Sequence, residues 1–487
     1  MGGSSAKSLI GSNLASKIAV LIGSVALARI LFPEDYGYLV IANLFDGVFN
    51  LFSISGFETY YIQQRNISDQ EDNRILGICF WLRVRQSLVL FVVQLLLGIG
   101  LLFWDQEIVG YMLMILSINH LLHIPSKPSE AKLSKLLEFK PIAKANFVRD
   151  IVGVVVKVGC ALLGFGPLSF VIGQVVRVIP RTLMLIKALP SKVSLVRNSP
   201  EQKKVEGFAR MVFLNTAGAY MTTQADAAIV ASFYPKDLLG FYHFSKRQAS
   251  LPFQMILTPI GSMILSYVNK FKNEPSKLYA KFEATGFLLL AFVLPFMVYV
   301  IIDIHDVVDF VFGKKWADSA VMVQLFLLYY IFQFITYPSG YLPTALGKPS
   351  VKAKVSFISF GVLAIVLLIL AVNGAELIYY ALAFVIFYSI KDIIIGVIGF
   401  KILSGEKSFW LFMLERIKIC SLLILPIGYT LLLKETEFWL IWRILIFTAA
   451  YFITLGAVLK VKLGPLFFNS LDELSLAKVK RVFRFLN

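Results

Sequence analysis

The stretch LFPEDYGYLV, residues 31–40, recurs in altered form as SFYPKDLLGFYHF at residues 232–244. In both places an apolar segment ends, a proline and an acidic residue follow, and glycine with aromatic residues begins the next apolar segment. Proline restricts φ and aspartate accepts local backbone hydrogen bonds, so both are typical of tight turns. The pattern predicts that the same helical hairpin occurs twice in the chain. The alternative is that the two stretches are similar by chance, because these residues are common in turns.

Composition indicates a membrane protein, because 58% of the 487 residues are apolar and 16% are charged, against about 25% charged in soluble domains. A bilayer is spanned by about 20 apolar residues, and fourteen such stretches can be laid along the chain. The predicted fold is therefore an all-α polytopic membrane protein with about 14 transmembrane helices. The predicted spans are 9–32, 36–62, 76–103, 107–125, 145–165, 168–188, 206–232, 238–267, 282–304, 319–346, 353–373, 376–401, 408–432 and 438–459.

The net charge of +17 is distributed unevenly. With these spans, 28 Lys and Arg residues fall in one set of connections or in the two span residues next to them, and four fall in the other set. Cytoplasmic loops carry such an excess, so both termini are predicted to be cytoplasmic. The positive charge then faces anionic membrane lipids, and it requires no nucleic acid as a partner.

The repeated hairpins would be helices 1–2 and 7–8, running in the same direction. Parallel repeats related by an axis along the membrane normal are an established transporter architecture, with the substrate path between the halves. The sequence thus predicts two six-helix bundles related by a pseudo-twofold axis along the membrane normal, at residues 1–190 and 203–403. An additional helix pair at 404–461 and a basic amphipathic cytoplasmic tail at 462–487 complete the chain.

Polar residues at helical spacing predict wet faces inside the first bundle. A charged side chain at mid-membrane costs about 2.5–3.5 kcal/mol on insertion scales and tends to mark a functional path. With Arg29 and Glu58 set aside because they lie near helix ends, the first bundle has seven bases against two acids. The candidate cavity residues are Lys17, Asn43, Asp46, Asn50, Arg83, Arg149, Lys157, Arg177 and Arg181 in the first bundle, and Asp226, Lys246 and Arg247 in the second.

A cationic cavity suits a diphosphate, because arginine binds phosphate oxygens in bidentate fashion. For the bases near the cytoplasmic ends of their helices the alternative is interfacial snorkelling toward the inner leaflet; these are Arg83, Arg85, Arg149 and Arg181. For Asp226, the alternative to substrate binding is an ion pair with Lys246 or Arg247.

Asp46 is the candidate for H⁺ or Na⁺ coupling, since it is a mid-membrane acid among amides. A structural pair with Lys17 is the alternative. Three further polar groups receive no functional role: the adjacent Lys391–Asp392, whose side chains should face apart, the interfacial His120 and His123, and the solvated loop group Asp303, His305 and Asp306.

Several motifs resemble bacterial polysaccharide exporters of the Wzx and WzxC type, in the MATE/oligosaccharidyl-lipid/polysaccharide (MOP) flippase superfamily. They are ALARILFPEDYGYLVIANLF…ISGFETYYIQQRN (26–66), LEFKPIAKANFVRDIVG (137–153), DAAIVASFYPKDLLGFYHFSKRQASLPFQMI (226–256) and FGKKWADSA…YPSGYLPTALGKP (312–349). The resemblance implies flipping of an undecaprenyl-diphosphate-linked oligosaccharide, of the O-antigen kind, from the cytoplasmic to the outer leaflet of the bacterial inner membrane by alternating access. A polysaccharide polymerase and its chain-length machinery are the further partners it implies.

The motifs of common enzymes are missing from the sequence: it has four histidines, no Walker motif and no HExxH. The chain is therefore predicted to be no enzyme and to hold no cofactor, with energy drawn from an H⁺ or Na⁺ gradient or from the membrane potential. A cation-coupled multidrug antiporter of the same superfamily is the alternative, which the basic cavity disfavours. A membrane-embedded polymerase or acyltransferase is less favoured, because the predicted outer loops are short.

Overall fold

Helices make up nearly all of the chain that the computed structural model describes, and the described residues form no strand. The structure describes residues 3–53, 56–104, 106–189, 193, 195–197, 200–271, 274–337, 339–403, 408–420, 423, 426–428 and 440–458. The predicted all-α class is therefore confirmed. The predicted tail at 462–487 lies outside the described residues.

Cα positions divide the chain into two units, Met1–His243 and Phe244–Asn487. The first ten helices are α1 Gly3–Ile30, α2 Pro33–Ser53, α3 Phe57–Gln63, α4 Asp69–Leu102, α5 Glu107–Leu122, α6 Lys127–Lys135, α7 Phe139–Leu162, α8 Leu168–Val176, α9 Val178–Ala188 and α10 Gln202–Phe233. All ten lie in the first unit. The domain limits expected from the sequence stay predictions.

Helix α11, Lys236–Phe271, begins in the first unit and continues into the second. The remaining helices are α12 Pro275–Ile302, α13 Ile304–Phe312, α14 Ala320–Thr336, α15 Leu342–Ala345, α16 Pro349–Val372, α17 Leu377–Leu403, α18 Phe409–Cys420 and α19 Leu440–Val458. Short 3₁₀ helices occupy Ile124–Ser126, Lys314–Ser319 and Ser339–Tyr341.

Seven helical segments of the described chain are long and apolar enough to cross a membrane. An eighth is added if Leu289–Ile302 and Ile304–Phe312, which meet at 91°, count as one span. Large apolar side chains such as Ile358, Ile365 and Ile369 are more than half exposed along α16, which suits a surface that faces lipid. The polytopic class is confirmed, and the count of fourteen stays a prediction.

One predicted span, 168–188, is interrupted at Arg177, which ends α8 and precedes α9. Pro180 lies in the first turn of α9. Its ring nitrogen carries no proton and cannot bond to the carbonyl of Val176, four residues earlier. The interruption therefore follows from the sequence, and it places Arg177 within the apolar segment Leu168–Ala188, which still counts as one span.

The two related hairpins meet inside the first unit. Gly37 is the fifth residue of α2, and a Cβ there would overlap the carbonyl of Lys236, the first residue of α11. Gly240 is the fifth residue of α11, and a Cβ there would overlap the carbonyl of Pro33, the first residue of α2. The contact is reciprocal, since equivalent residues of the two hairpins lie against each other, and the predicted relation of the two bundles stays a prediction.

Candidate functional site

Arg177 lies against α7 at the break between α8 and α9. The neighbouring α7 residue is Gly153, where a Cβ would come within 2.9 Å of Arg177 Cδ, so glycine allows the close approach. The Nε of Arg177 is buried, and the guanidinium makes no hydrogen bond or ion pair with a described residue. The charges of Arg149 and Asp150 on α7 act on it. Arg177 is thus a half-buried cation beside α7, and its position in a substrate cavity stays a prediction.

Asp150 is shared among several donors. Ser16 Oγ of α1 donates to Asp150 Oδ2 at 2.5 Å, and Arg149 Nη2 lies 2.8 Å from Oδ1. The next residue of α1, Lys17, is half-buried and makes no ion pair with a described residue. Lys17, Arg149, Asp150 and Arg177 are called the cationic cluster below, with three positive charges against one negative charge.

Lys157 and Asn43 occupy half-buried positions on α7 and α2. The stem of Lys157 packs on Gly173 of α8, where a Cβ would overlap its Cγ. Lys157 lies one turn beyond Gly153, so both contacts with α8 use the same face of α7. Binding of substrate by either residue stays a prediction.

Arg83 is buried and its charge is balanced by Glu58. Its Nε donates to Glu58 Oε1 at 2.8 Å, its Nη2 to Oε2 at 2.5 Å, and its Nη1 to the carbonyl of Ser53 at 2.5 Å. Setting Glu58 aside in the charge count was therefore wrong, because this acid pairs with one of the seven bases. Snorkelling is also wrong for Arg83, since the side chain is 4% exposed. The geometry gives Arg83 a structural pairing and leaves diphosphate binding by it a prediction.

Arg181 is likewise paired. Its Nη2 donates to Glu130 Oε1 of α6 at 2.5 Å and its Nε to Asn146 Oδ1 of α7 at 2.9 Å. Glu130 is absent from the sequence-based candidates because it lies in a predicted cytoplasmic connection. Both missed acids, Glu58 and Glu130, fall in short helices next to an apolar span, and this position is the signal that could have identified them.

Asp46 belongs to a buried chain of hydrogen bonds. Its Oδ2 accepts from Asn50 Nδ2 at 2.6 Å, and its Oδ1 accepts from Gln94 Nε2 of α4 at 3.0 Å. Gln94 is fully buried, and its Oε1 lies 2.7 Å from His120 Nε2 of α5. His120 is itself buried, at 4% exposed, and its predicted position at the membrane interface stays a prediction. The hydrogen bonds of Asp46 come from two amides, and Lys17 is not one of the described partners.

The remaining candidates lie in different units. Asp226 of the first unit is buried and accepts from Tyr242 Oη at 2.9 Å. In the second unit Lys246 and Arg247 are half-buried, and Lys246 Nζ lies 4.8 Å from the ring centre of Phe384. The alternative ion pair with Asp226 stays a prediction.

Asp303 is not solvated, contrary to the prediction. It is 1% exposed, accepts from Tyr299 Oη at 2.6 Å, and lies 3.1 Å from Arg443 Nη1 of α19. Arg443 also pairs with Asp306. These acids join α12 and α13 to α19, and their role in the described structure is packing.

A chain of apolar helices that encloses ionised and amide side chains defines a polytopic membrane protein by its fold. The fold is similar to the solved structure of the lipid II flippase MurJ in its inward closed conformation, with a TM-score of 0.77 at 16% identity over 93% of this chain and 98% of that chain. It is also similar to the inward-facing conformation of a multidrug resistance MATE family transporter of the MOP superfamily, with a TM-score of 0.60 at 12% identity over 80% and 94% of the two chains.

The family described as polysaccharide biosynthesis protein matches residues 26–321, which is more than half of the 487 residues. The chain belongs to this family. A membrane protein of the cps region of Klebsiella pneumoniae is 23% identical over 72% of this chain and 73% of its own length. The lipopolysaccharide biosynthesis protein WzxC of Escherichia coli K12 is 23% identical over 70% of each chain. The resemblance drawn from the motifs is confirmed.

Proposed function

We propose that this protein is a flippase that moves undecaprenyl-diphosphate-linked oligosaccharide repeat units from the cytoplasmic to the outer leaflet by alternating access. Membership of the polysaccharide biosynthesis family supports the general class. The polyprenyl tail would stay in lipid while the sugar and diphosphate pass through the protein. A polysaccharide polymerase and chain-length machinery would then receive the exported units.

The cationic cluster carries this proposal. An unpaired guanidinium inside an apolar bundle is costly, and a buried charge is normally paired or neutralised. Arg177 has no counter-ion among the described residues, and Asp150 already serves Ser16 and Arg149. An entering diphosphate supplies the missing negative charge in a form that arginine binds well. The cations of a multidrug antiporter would be repelled by the same cluster.

The membrane potential assists this direction of transport. Moving one charge through 100 mV is worth about 2.3 kcal/mol, so a dianion that leaves a negative interior gains about 4.6 kcal/mol per 100 mV. The bases of the cluster stay with the protein and reduce the cost of the dianion inside the membrane. They do not cancel this driving force, because they complete no net movement across the membrane.

Asp46, Gln94 and His120 are proposed as the coupling site for H⁺ or Na⁺. The carboxylate is buried but accepts only neutral amide donors among the described residues, so an added cation would balance its charge. Gln94 donates through Nε2 to Asp46, and its Oε1 therefore accepts from His120 Nε2. The chain of bonds links helices α2, α4 and α5, so a cation bound at Asp46 would change contacts between three helices.

The test is complementation of a deletion strain with Arg177→Gln. Export should fall at least tenfold, with normal protein level, and completed lipid-linked units should accumulate on the cytoplasmic leaflet. Arg74→Gln is the matched control, because Arg74 is about half exposed, in a surface pair with Glu201 worth about 1 kcal/mol or less. Unchanged export in Arg177→Gln would refute the role of the cluster.

The deletion strain itself tests the class of activity. Labelled sugar should accumulate in complete lipid-linked units on the cytoplasmic leaflet. Single units stranded on the outer leaflet would contradict a flippase and indicate a polymerase. No accumulation in a strain without a redundant exporter would favour the drug antiporter.

A further inference from the structure

The second unit contains a pocket of about 170 Å³, and none of its lining residues belongs to the cationic cluster. It lies beside the motif YPSGYLPTALGKP and is lined by side chains from α11, α14, α16 and α17 and from the 3₁₀ helix Ser339–Tyr341. Two lysines and one aspartate are among these side chains, namely Lys352, Lys391 and Asp392. The pocket is therefore polar and carries a net positive charge within apolar helices.

The adjacent residues Lys391 and Asp392 were expected to face apart, and this expectation is wrong. Lys391 Nζ lies 3.4 Å from Asp392 Oδ1, and both side chains are less than a fifth exposed. Lys391 also lies over the ring of Tyr388, 4.2 Å from its centre. Both charges therefore point toward one region and line the same pocket.

The carboxylate of Asp392 already has hydrogen-bond and ion-pair partners in the wall of the pocket. Besides Lys391, its Oδ2 accepts from Tyr329 Oη and from Gln333 Nε2, each at 3.2 Å. A carboxylate with three donors needs no further cation. The positive charge of Lys391 is thus balanced by Asp392 within the wall. A second positive charge in the pocket is not balanced in this way.

That second charge belongs to Lys352 on α16. It is half-buried and forms no hydrogen bond or ion pair with any residue in the described part of the chain. Its Nζ lies 5.4 Å from the ring centre of Tyr341, and both the like charge of Lys391 and the opposite charge of Asp392 act on it. An anion between the two ammonium groups would relieve this repulsion.

A hydroxyl donor is also left unused. Tyr337 is 4% exposed and lines the pocket, and its Oη is buried with no hydrogen-bond partner among the described residues. Buried polar groups almost always have partners, and each exception requires an explanation. A ligand that accepts a hydrogen bond from this hydroxyl would provide one.

We propose that this pocket binds a phosphate anion, with Lys352, Lys391 and Tyr337 as its donors. A phosphate group presents several strong acceptor oxygens and takes lysine as a point-charge partner. The phosphate could belong to a lipid-linked diphosphate or to a phospholipid head group. Its residues all belong to the second unit, whereas those of the cationic cluster belong to the first.

Native mass spectrometry of the purified full-length protein in detergent tests this site. The probes are undecaprenyl diphosphate, phosphatidylglycerol and undecaprenol, which has no phosphate. Lys352→Gln and Tyr337→Phe should each weaken binding of a phosphate-bearing probe about tenfold, the loss expected when one hydrogen bond to a charged group is removed. The controls are Lys354→Gln on the exposed face of α16 and Tyr379→Phe, whose side chain is half exposed on α17.

Each outcome is decisive. Preference for undecaprenyl diphosphate that is lost in the two pocket variants supports a lipid-diphosphate site. If phosphatidylglycerol binds more tightly than undecaprenyl diphosphate and the two pocket variants weaken its binding to the same extent, the result supports a phospholipid site. Equal binding of undecaprenol, or equal loss in Lys354→Gln, would overturn the proposal. Because binding is measured without export, a negative binding result leaves the flippase proposal standing, and unchanged export in Arg177→Gln leaves this site standing.

Discussion

The pair formed by Arg83 and Glu58 offers a direct test of which cavity bases are structural. Breaking a buried ion pair by removing one partner costs about 3–5 kcal/mol, because the other charge stays buried and unpaired. The Glu58 side chain is 22% exposed and Arg83 is 4% exposed, so Glu58→Gln should cost near the lower limit, about 3 kcal/mol. Arg83→Met also removes the bond to the Ser53 carbonyl, which adds about 1 kcal/mol.

The double variant separates the two roles that Arg83 could have. With both charges gone, no unpaired ion remains, and the residual cost should be about 1 kcal/mol for the unmet carbonyl of Ser53. Structural pairing therefore predicts that the double variant is more stable than either single variant. It also predicts that export returns in the double variant, because the cationic cluster is untouched.

The assay is the fraction of monodisperse protein after heating in detergent, with export measured in the same strains. Arg85→Met with Glu206→Gln is the matched control, since this pair lies on α4 and α10 with its side chains 53% and 39% exposed. Its loss should cost less than about 1 kcal/mol. A double variant as unstable as the single variants would refute the pairing argument. A stable double variant that does not export would show that Arg83 binds the substrate.

Three other changes have defined outcomes. Gly37→Val and Gly240→Val each place a side chain where the backbone of the other hairpin lies, so both should lower the yield of folded protein in size-exclusion chromatography, whereas Gly159→Val, which has open space around it, should not. Gln94→Leu should lower stability by about 1–3 kcal/mol, because two buried partners lose their bonds; an unchanged melting temperature in detergent would contradict the bridge. Asp46→Asn should remove the dependence of export on an imposed H⁺ or Na⁺ gradient, and unaltered dependence would exclude this residue from coupling.

Local sequence was sufficient for the features that depend on the chain alone. Hydropathy identified the membrane class, and the match between residues 31–40 and 232–244 identified the repeated hairpin. Arg177 stood out as a base inside an apolar stretch, whereas the interruption beside Pro180 was not predicted, because 168–188 was expected to be one span. Each of these follows from the cost of placing charge or an unbonded carbonyl in lipid, which acts at any position regardless of what packs against it.

Pairing between helices was decided by the tertiary structure. The sequence shows that Arg83, Arg181 and Arg177 are charged, but it does not show that the first two have carboxylate partners in α3 and α6 while Arg177 has none among the described residues. Partners that are 25 and 51 residues away along the chain leave no periodic signal. An ion pair depends on atoms within a few ångströms of each other, and only the packing of the helices brings those atoms together.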